Sequence, residues 1–490
     1  MVMNNAIPLP LVSAMLANPQ ASALQTRARS WSYGQLAQAA GRVARVLEGR
    51  GVQAGEEVVL VGNADARFVV GLHALGWLGA AAAPLSVRLT ADETTAALGV
   101  LGAKRALVTG AVEPSVMAAL ERQVEVIRLE IPGDGPQADE RFWPLDETRL
   151  VVMTSGTTGT PSVVRLTTLQ LMTSAFGSAI RLGHLPGDAW LNCLPLNHVG
   201  GLSILFRCAF YATEVVLHER FEADKVARAL DEGRVSLVSL VPQMLQRVLD
   251  ARQSQGPLHQ RVRCVLLGGA AAPEALLERC ASLSVPVSVT WGMSEAASQV
   301  CTRAPGQFGA AEGCGAPLAF ARVDVVDGSR LRVRGPVVTD GLLLTGDGGH
   351  IDAHGRVHVA GRVDDVIISG GENISPVEVE AVLERHSAVA EAAVVAIEDE
   401  TWGQRPAAVL VMAPSASGRP LEAELEAWCR QHLTPFKVPS RFWWAQSLPK
   451  GRLGKLLRRQ IRAQITTSSE AEDNYSTISS WGGHPKEDAG

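Results

Sequence analysis

Apolar and polar positions along the chain follow two different periods. Short, largely apolar runs, among them Val58-Val59-Leu60-Val61, Leu150-Val151-Val152-Met153, Val235 to Val241 and Val262 to Leu267, predict strands buried on both faces. Between such runs, Ala64 to Leu78 and Asp224 to Glu232 carry apolar residues at helical spacing. The longest apolar stretch, roughly Phe68 to Leu85, is Gly- and Ala-rich and interrupted by His73 and Trp77. It predicts a core helix running into a strand, not a membrane span. Strand and helix signals alternating in this way point to an α/β fold with mostly parallel sheets.

The pattern changes near residue 364. Val366 to Ile368 reads as a strand, Gly370-Gly371 as a turn, and Ser375 to about His386 as a helix whose Ser375-Pro376-Val377-Glu378 start has a capping hydroxyl, a first-turn proline and a glutamate three residues on. Strands at about Ala392 to Ile397 and Ala407 to Met412 follow, then a helix from Leu421 to His432. The expected organisation is a large domain over 1–363, a small α+β lid domain over 364–465 pivoting at Asp364, and a tail, 466–490, too polar to order itself.

Composition narrows the function. The 490 residues are 47% hydrophobic and 19% charged, which suits one large multi-layered domain with a smaller one. A net charge of -5 without a basic run argues against nucleic acid as a partner. The seven cysteines are scattered without a C-x-x-C pair, as expected of buried thiols in a reducing compartment. No charged n-region with an apolar core opens the chain, so a cytoplasmic protein is expected, as a monomer or a homodimer.

The chemistry lies in loops. Thr154-Ser155-Gly156-Thr157-Thr158-Gly159 follows an apolar strand and offers backbone amides and hydroxyls to phosphate oxygens, though it lacks the Gly-Lys-Ser/Thr of a Walker loop. Alone, such a loop is as often a simple turn. Trp291-Gly292-Met293-Ser294-Glu295 places a ring, a hydroxyl and a carboxylate within five residues. Pro195 to Leu202 is a glycine-flexed loop around His198, and Gly268-Gly269-Ala270-Ala271 follows a buried strand with small residues that admit a flat ring. Thr345-Gly346-Asp347 and Gly361-Arg362-Val363-Asp364 add a carboxylate and a guanidinium, and Pro449 to Lys455 forms a basic loop.

This ordered series, from about Trp31 to Ile461, resembles the adenylate-forming superfamily of acyl-CoA synthetases. The strings from His198, Ser239 and Gly292 are most similar to the o-succinylbenzoate–CoA ligases of menaquinone biosynthesis. The resemblance implies an AMP-forming acid–CoA ligase that uses ATP, Mg2+ and coenzyme A. It implies that Ser155 to Thr158 hold the β- and γ-phosphates and that Trp291, where relatives usually have tyrosine, stacks on adenine beside Gly269, Ala270 and Ala271. Glu295 would ligate Mg2+, Ser294 would contact the α-phosphate or the acyl carboxylate, and Asp347 with Arg362 would hold the ribose. Lys455 would offset charge in the adenylation transition state, with Lys450 its competitor. His198 would stand at the acyl pocket and Gly371 would line the pantetheine channel. A core tryptophan, a capping aspartate, a surface arginine and a solvated lysine are the competing plain roles for Trp291, Asp347, Arg362 and Lys455.

One departure stands out. The family pattern continues Pro-Lys-Gly after the phosphate loop, whereas this chain has Pro161-Ser162-Val163. Weaker ATP affinity is expected, with Arg165 a candidate substitute cation. The alternatives are another aryl- or acyl-CoA ligase, an adenylation enzyme that loads a carrier protein, and a non-catalytic nucleotide-binding relative.

Overall fold

Strands form where the largely apolar runs predict them. The computed structural model describes residues 5–154, 162–252, 256–309, 312–369, 372–399, 401–416, 418–451, 454–468 and 477–478. By internal contacts it divides into two compact units: residues 1–268, 279–323 and 333–343 form the first, and 269–278, 324–332 and 344–490 the second. The division thus falls earlier than residue 364, because the strand Leu342–Ile351 pairs antiparallel with Val357–Arg362, tying most of it to the following chain.

The first unit is built on two sheets. One has six strands in the order Ser162–Thr167, Thr148–Thr154, Ala81–Leu85, Glu57–Val61, Arg105–Val108, Glu125–Arg128, parallel except for the first pair. The other has eight, with a parallel centre that includes Cys264–Leu267, Leu237–Leu240 and Ala189–Asn192, and an antiparallel strand at each edge. Central strands are apolar throughout because both faces are covered: Val58, Val59 and Leu60 have no exposed surface. The apolar stretch from Phe68 resolves into the helix Ala66–Trp77, capped by the Asp65 carboxylate, and the strand Ala81–Leu85. Among the described residues no helix is long and apolar enough to cross a membrane.

The second unit carries a mixed sheet in which Gly403–Met412 is flanked by Val389–Asp399 and Phe442–Ala445. The helices Pro376–Glu384, Glu422–His432 and Arg458–Ser468 accompany it. The α+β reading holds, with two corrections. Ser375 precedes its helix but does not cap it: its Oγ donates to the Ala360 carbonyl at 2.5 Å, and Glu378 pairs with Lys437. The tail expected to lack structure begins inside a helix that runs to Ser468, and Thr477–Ile478 adds a parallel strand beside Phe442–Ala445, with Ile478 buried among Trp443, Ile461 and Ile465.

Six of the seven cysteines are buried. Burial pushes the Cys193 and Cys208 thiols up to about 12, so neither is a nucleophile at neutral pH.

Candidate active site

Thr154 ends the strand Thr148–Thr154, and Ser162 opens its antiparallel partner directly opposite. Their hydroxyls lie 2.6 Å apart, closing the base of the hairpin from which the phosphate loop springs. Ser155, Gly156, Thr157, Thr158 and Gly159 lie outside the described residues. Arg165 does not stand in for the missing lysine. Its Nε and Nη2 reach both oxygens of Glu57 at 2.6 and 3.0 Å, a bidentate pair that commits the guanidinium to the neighbouring part of the sheet.

The second motif is a tight turn between the strands Val287–Met293 and Ser298–Thr302. Trp291 opposes Cys301 and is 7% exposed, so its ring is largely packed inside the first unit. Gly292 is required at its position, because a Cβ there would overlap the Ser298 carbonyl. Ser294 and Glu295 form a half-buried 3-10 turn with Ala296, after which Ala297 and Ser298 both take positive φ, 52° and 114°. The helix Thr168–Leu182 holds this turn: Gln170 Nε2 lies 3.3 Å from the Glu295 carbonyl, and Ser174 Oγ donates to the Ala297 carbonyl at 3.0 Å.

His198 precedes the helix Val199–Tyr211 in extended backbone, half-buried, with its Nε2 3.4 Å from Asn197 Nδ2. Asn192, fully buried, shapes this loop by donating to the Gly201 carbonyl at 2.9 Å and accepting from the Leu194 amide. Two turns further on, the same helix carries a residue that motif reading missed. Arg207 is 1% exposed, its guanidinium lies 5.6 Å over the Trp190 ring, and among the described residues its Nε and Nη2 have no hydrogen-bond partner. Burial lowers its pKa. The signal was a lone arginine in the apolar run Leu202 to Phe210.

The second unit brings three expected residues together. Asp347 and Arg362 face each other across the antiparallel pair, with Oδ1 and Nη1 3.6 Å apart, and Arg362 Nη2 lies 3.5 Å from Asp364 Oδ2. Gly346 makes room for this: a Cβ on it would overlap the Arg362 guanidinium. Thr345 fixes the start of the motif, its Oγ1 donating to the Leu331 carbonyl at 2.6 Å and accepting from the Asp347 amide. Gly269, with φ 84°, Ala270 and Ala271 follow the strand Cys264–Leu267. Gly371 lies outside the described residues.

Lys455 is exposed at the end of a short reverse turn closed by the Gly451 amide on the Lys455 carbonyl at 2.8 Å, with Gly454 at φ 76°. Lys450 is engaged elsewhere, its Nζ 2.8 Å from Glu391. Of the two lysines in this loop, Lys450 is thus ion-paired and Lys455 is the more exposed.

Among the described residues no cluster of three or more His, Cys, Asp or Glu is arranged for a metal. The single carboxylate of Glu295 fits magnesium, which is commonly held by one or two carboxylates together with substrate phosphates.

Comparison with known proteins decides the family. The AMP-binding enzyme family matches residues 13–349, and its C-terminal domain matches residues 378–455. The chain belongs to the AMP-binding enzyme family. Among similar members of this AMP-binding family, 2-succinylbenzoate–CoA ligase of Geobacillus kaustophilus is 35% identical over 92% of this chain and 96% of its own. The ligase of that name from Bacillus cereus is 33% identical over 94% of this chain and 99% of its own. The o-succinylbenzoate CoA synthetase of Bacillus subtilis, in complex with the acyl-adenylate intermediate OSB-AMP, is 32% identical, superposes with a TM-score of 0.84, and is matched over 93% of this chain and 98% of its own. The same enzyme with ATP and magnesium ion superposes at 0.83. The fold, a large unit of mostly parallel sheets with a small α+β unit, is that of these AMP-binding enzymes.

Proposed function

We propose that the protein is an ATP-dependent acid–CoA ligase acting on 2-succinylbenzoate, with the roles of individual residues as follows. The acid's carboxylate oxygen attacks the α-phosphorus of ATP and pyrophosphate leaves. The thiol of CoA then attacks the acyl carbon, the thiol proton passes to solvent, and AMP leaves. In the first step two anions approach, so the cation of Lys455 is the residue that lowers that barrier selectively. Ser294 donates a hydrogen bond to the α-phosphate or the acyl carboxylate, and Asp347 accepts from ribose hydroxyls while Arg362 orients it. Thr154 and the loop after it hold the outer phosphates, and Trp291 with Gly269 to Ala271 covers the base. When bound on Glu295 and the phosphates, Mg2+ supplies charge neutralisation. Asp364 is the pivot that presents Lys455 for adenylation and withdraws it for thioester formation, when CoA enters past Gly371.

The single observation that favours this acid over a simple benzoate or fatty acid is Arg207. A succinylbenzoate has two carboxylates, one activated and one that must be recognised. A fully buried guanidinium whose Nε and Nη2 find no partner among the described residues is an expensive feature unless an anion answers it. His198, at the start of the same helix, would orient the carboxylate that reacts.

Pyrophosphate release and CoA-thioester formation with a panel of acids test this reading. Turnover with 2-succinylbenzoate well above that with benzoate or octanoate supports it, and silence with the diacid but turnover of the others sinks it. Arg207→Met should cut kcat/KM for the diacid by about a hundredfold, as loss of a charge-assisted contact to a substrate group does. It should leave the melting temperature unchanged or raised, since an unpaired buried charge is removed.

A further inference from the structure

We infer that the helix Thr168–Leu182 is a positioning element for Glu295, acting through Gln170 and Ser174. The inference rests on the proposed role of Glu295 as the carboxylate nearest the nucleotide's metal ion.

Ala297 and Ser298, the second and third residues after Glu295, occupy left-handed backbone at φ 52° and 114° in succession. Residues with a Cβ rarely take that conformation, and it persists only where the surroundings over-determine it. Here two side chains from one helix face do so. Gln170 and Ser174 are one turn apart, 2% and 3% exposed. Ser174 Oγ donates to the carbonyl of Ala297 at 3.0 Å, the first of the two left-handed residues. Gln170 Nε2 serves the Glu295 carbonyl at 3.3 Å, together with Thr339 Oγ1 at 3.4 Å and the Val337 carbonyl at 3.5 Å.

The orientation of the Gln170 amide is not free. Its Oε1 accepts from the Thr167 amide at 3.0 Å and from Thr167 Oγ1 at 3.2 Å, so Nε2 must face the turn. Thr167 is also the last residue of the strand Ser162–Thr167, the returning arm of the phosphate-loop hairpin. One buried amide therefore joins the end of the hairpin remote from the phosphate loop to the backbone of Glu295. The helix's capping box doubles as a spacer that fixes the Glu295 backbone relative to that strand end, and through it the bearing of the carboxylate.

The substitution Gln170→Glu isolates this link. It keeps an oxygen for Thr167, and glutamate is a normal capping-box residue, but it replaces the donor aimed at Glu295 by an acceptor. Ser174→Ala removes the second link, and Ala297→Gly relieves the left-handed strain without restoring any contact. Calorimetric ATP binding at graded magnesium, with thermal melting alongside, separates positioning from mere folding support. Gln170→Glu and Ser174→Ala should each raise the magnesium needed for half-maximal ATP binding by roughly tenfold, the scale for losing a supporting contact of a metal ligand. Ser174→Ala combined with Ala297→Gly should recover melting temperature but not magnesium dependence. Wild-type magnesium dependence in both single variants, or recovery of both properties by Ala297→Gly, overturns the inference. If Glu295→Gln itself leaves magnesium dependence unchanged, the reading of Glu295 fails and the inference falls with it.

Discussion

At the scale of residues, ion pairing decides which cations of the motif loops are committed. Lys450 is paired with Glu391 and Arg165 with Glu57, which leaves Lys455 as the exposed lysine of its loop. Lys455→Ala should therefore lower the adenylation rate by at least about a hundredfold, in the range of removing one transition-state charge partner. Thioester formation from preformed adenylate should stay near wild type. Equal losses in both half-reactions, followed by single-turnover quenching, would contradict the role. Ser162 stands where the family pattern leads one to expect lysine, and its hydroxyl lies 2.6 Å from that of Thr154. Ser162→Lys should lower the KM for ATP about fivefold, the effect of one added charge-assisted contact worth ~1 kcal/mol. An unchanged KM would show that the hairpin does not need the cation.

At the scale of elements, helix Pro376–Glu384 has a pH signature. Glu384 lies against Glu380 and Glu391, and burial followed by these like charges raises its carboxyl to about 7. A carboxyl whose folded pKa exceeds its unfolded value contributes stability that is full below the unfolded value near 4.5 and is lost as pH rises through 7. Glu384→Gln keeps the oxygen that accepts from the Ala392 amide. It should raise the melting temperature at pH 8, by an amount corresponding to up to about 3 kcal/mol, and leave it nearly unchanged at pH 4. A benefit of equal size at both pH values would refute the titration account. The same elements show what periodicity reveals. Fully apolar runs such as Val58 to Val61 announced their strands because both faces are covered, and the helix from Asp224 announced itself by amphipathic spacing. Polar placements were less legible. The Ser375 start had every mark of a capping box, yet its hydroxyl turned to Ala360. Gln170 shows locally only as the capping-box partner of Thr167, and its reach to Glu295, like that of Ser174 to Ala297, spans more than a hundred residues and leaves no local sign. Arg207 was visible only as an exception to an apolar helix.

At the scale of the whole molecule, the motif order placed the chain in its family, and the geometry refines which residues in each unit are prepared for the work. In the first unit Gln170 and Ser174 tie the far end of the phosphate-loop hairpin to the strained Glu295 turn, and Arg207 lies buried on the helix Val199–Tyr211. In the second unit Asp347, Arg362 and Asp364 form one cluster beside a narrow glycine, and Gly346→Ala should disturb it, raising the KM for ATP with little change in melting temperature. The central claim is that the acid is activated as an adenylate before CoA accepts it. Carrying out the full reaction with 2-succinylbenzoate labelled with 18O in its carboxylates, and weighing the nucleotide product by mass spectrometry, tests that claim most directly. AMP should carry one labelled oxygen, because the attacking carboxylate oxygen stays on the phosphorus when the thiol displaces it. Unlabelled AMP, or ADP as the product, would contradict it.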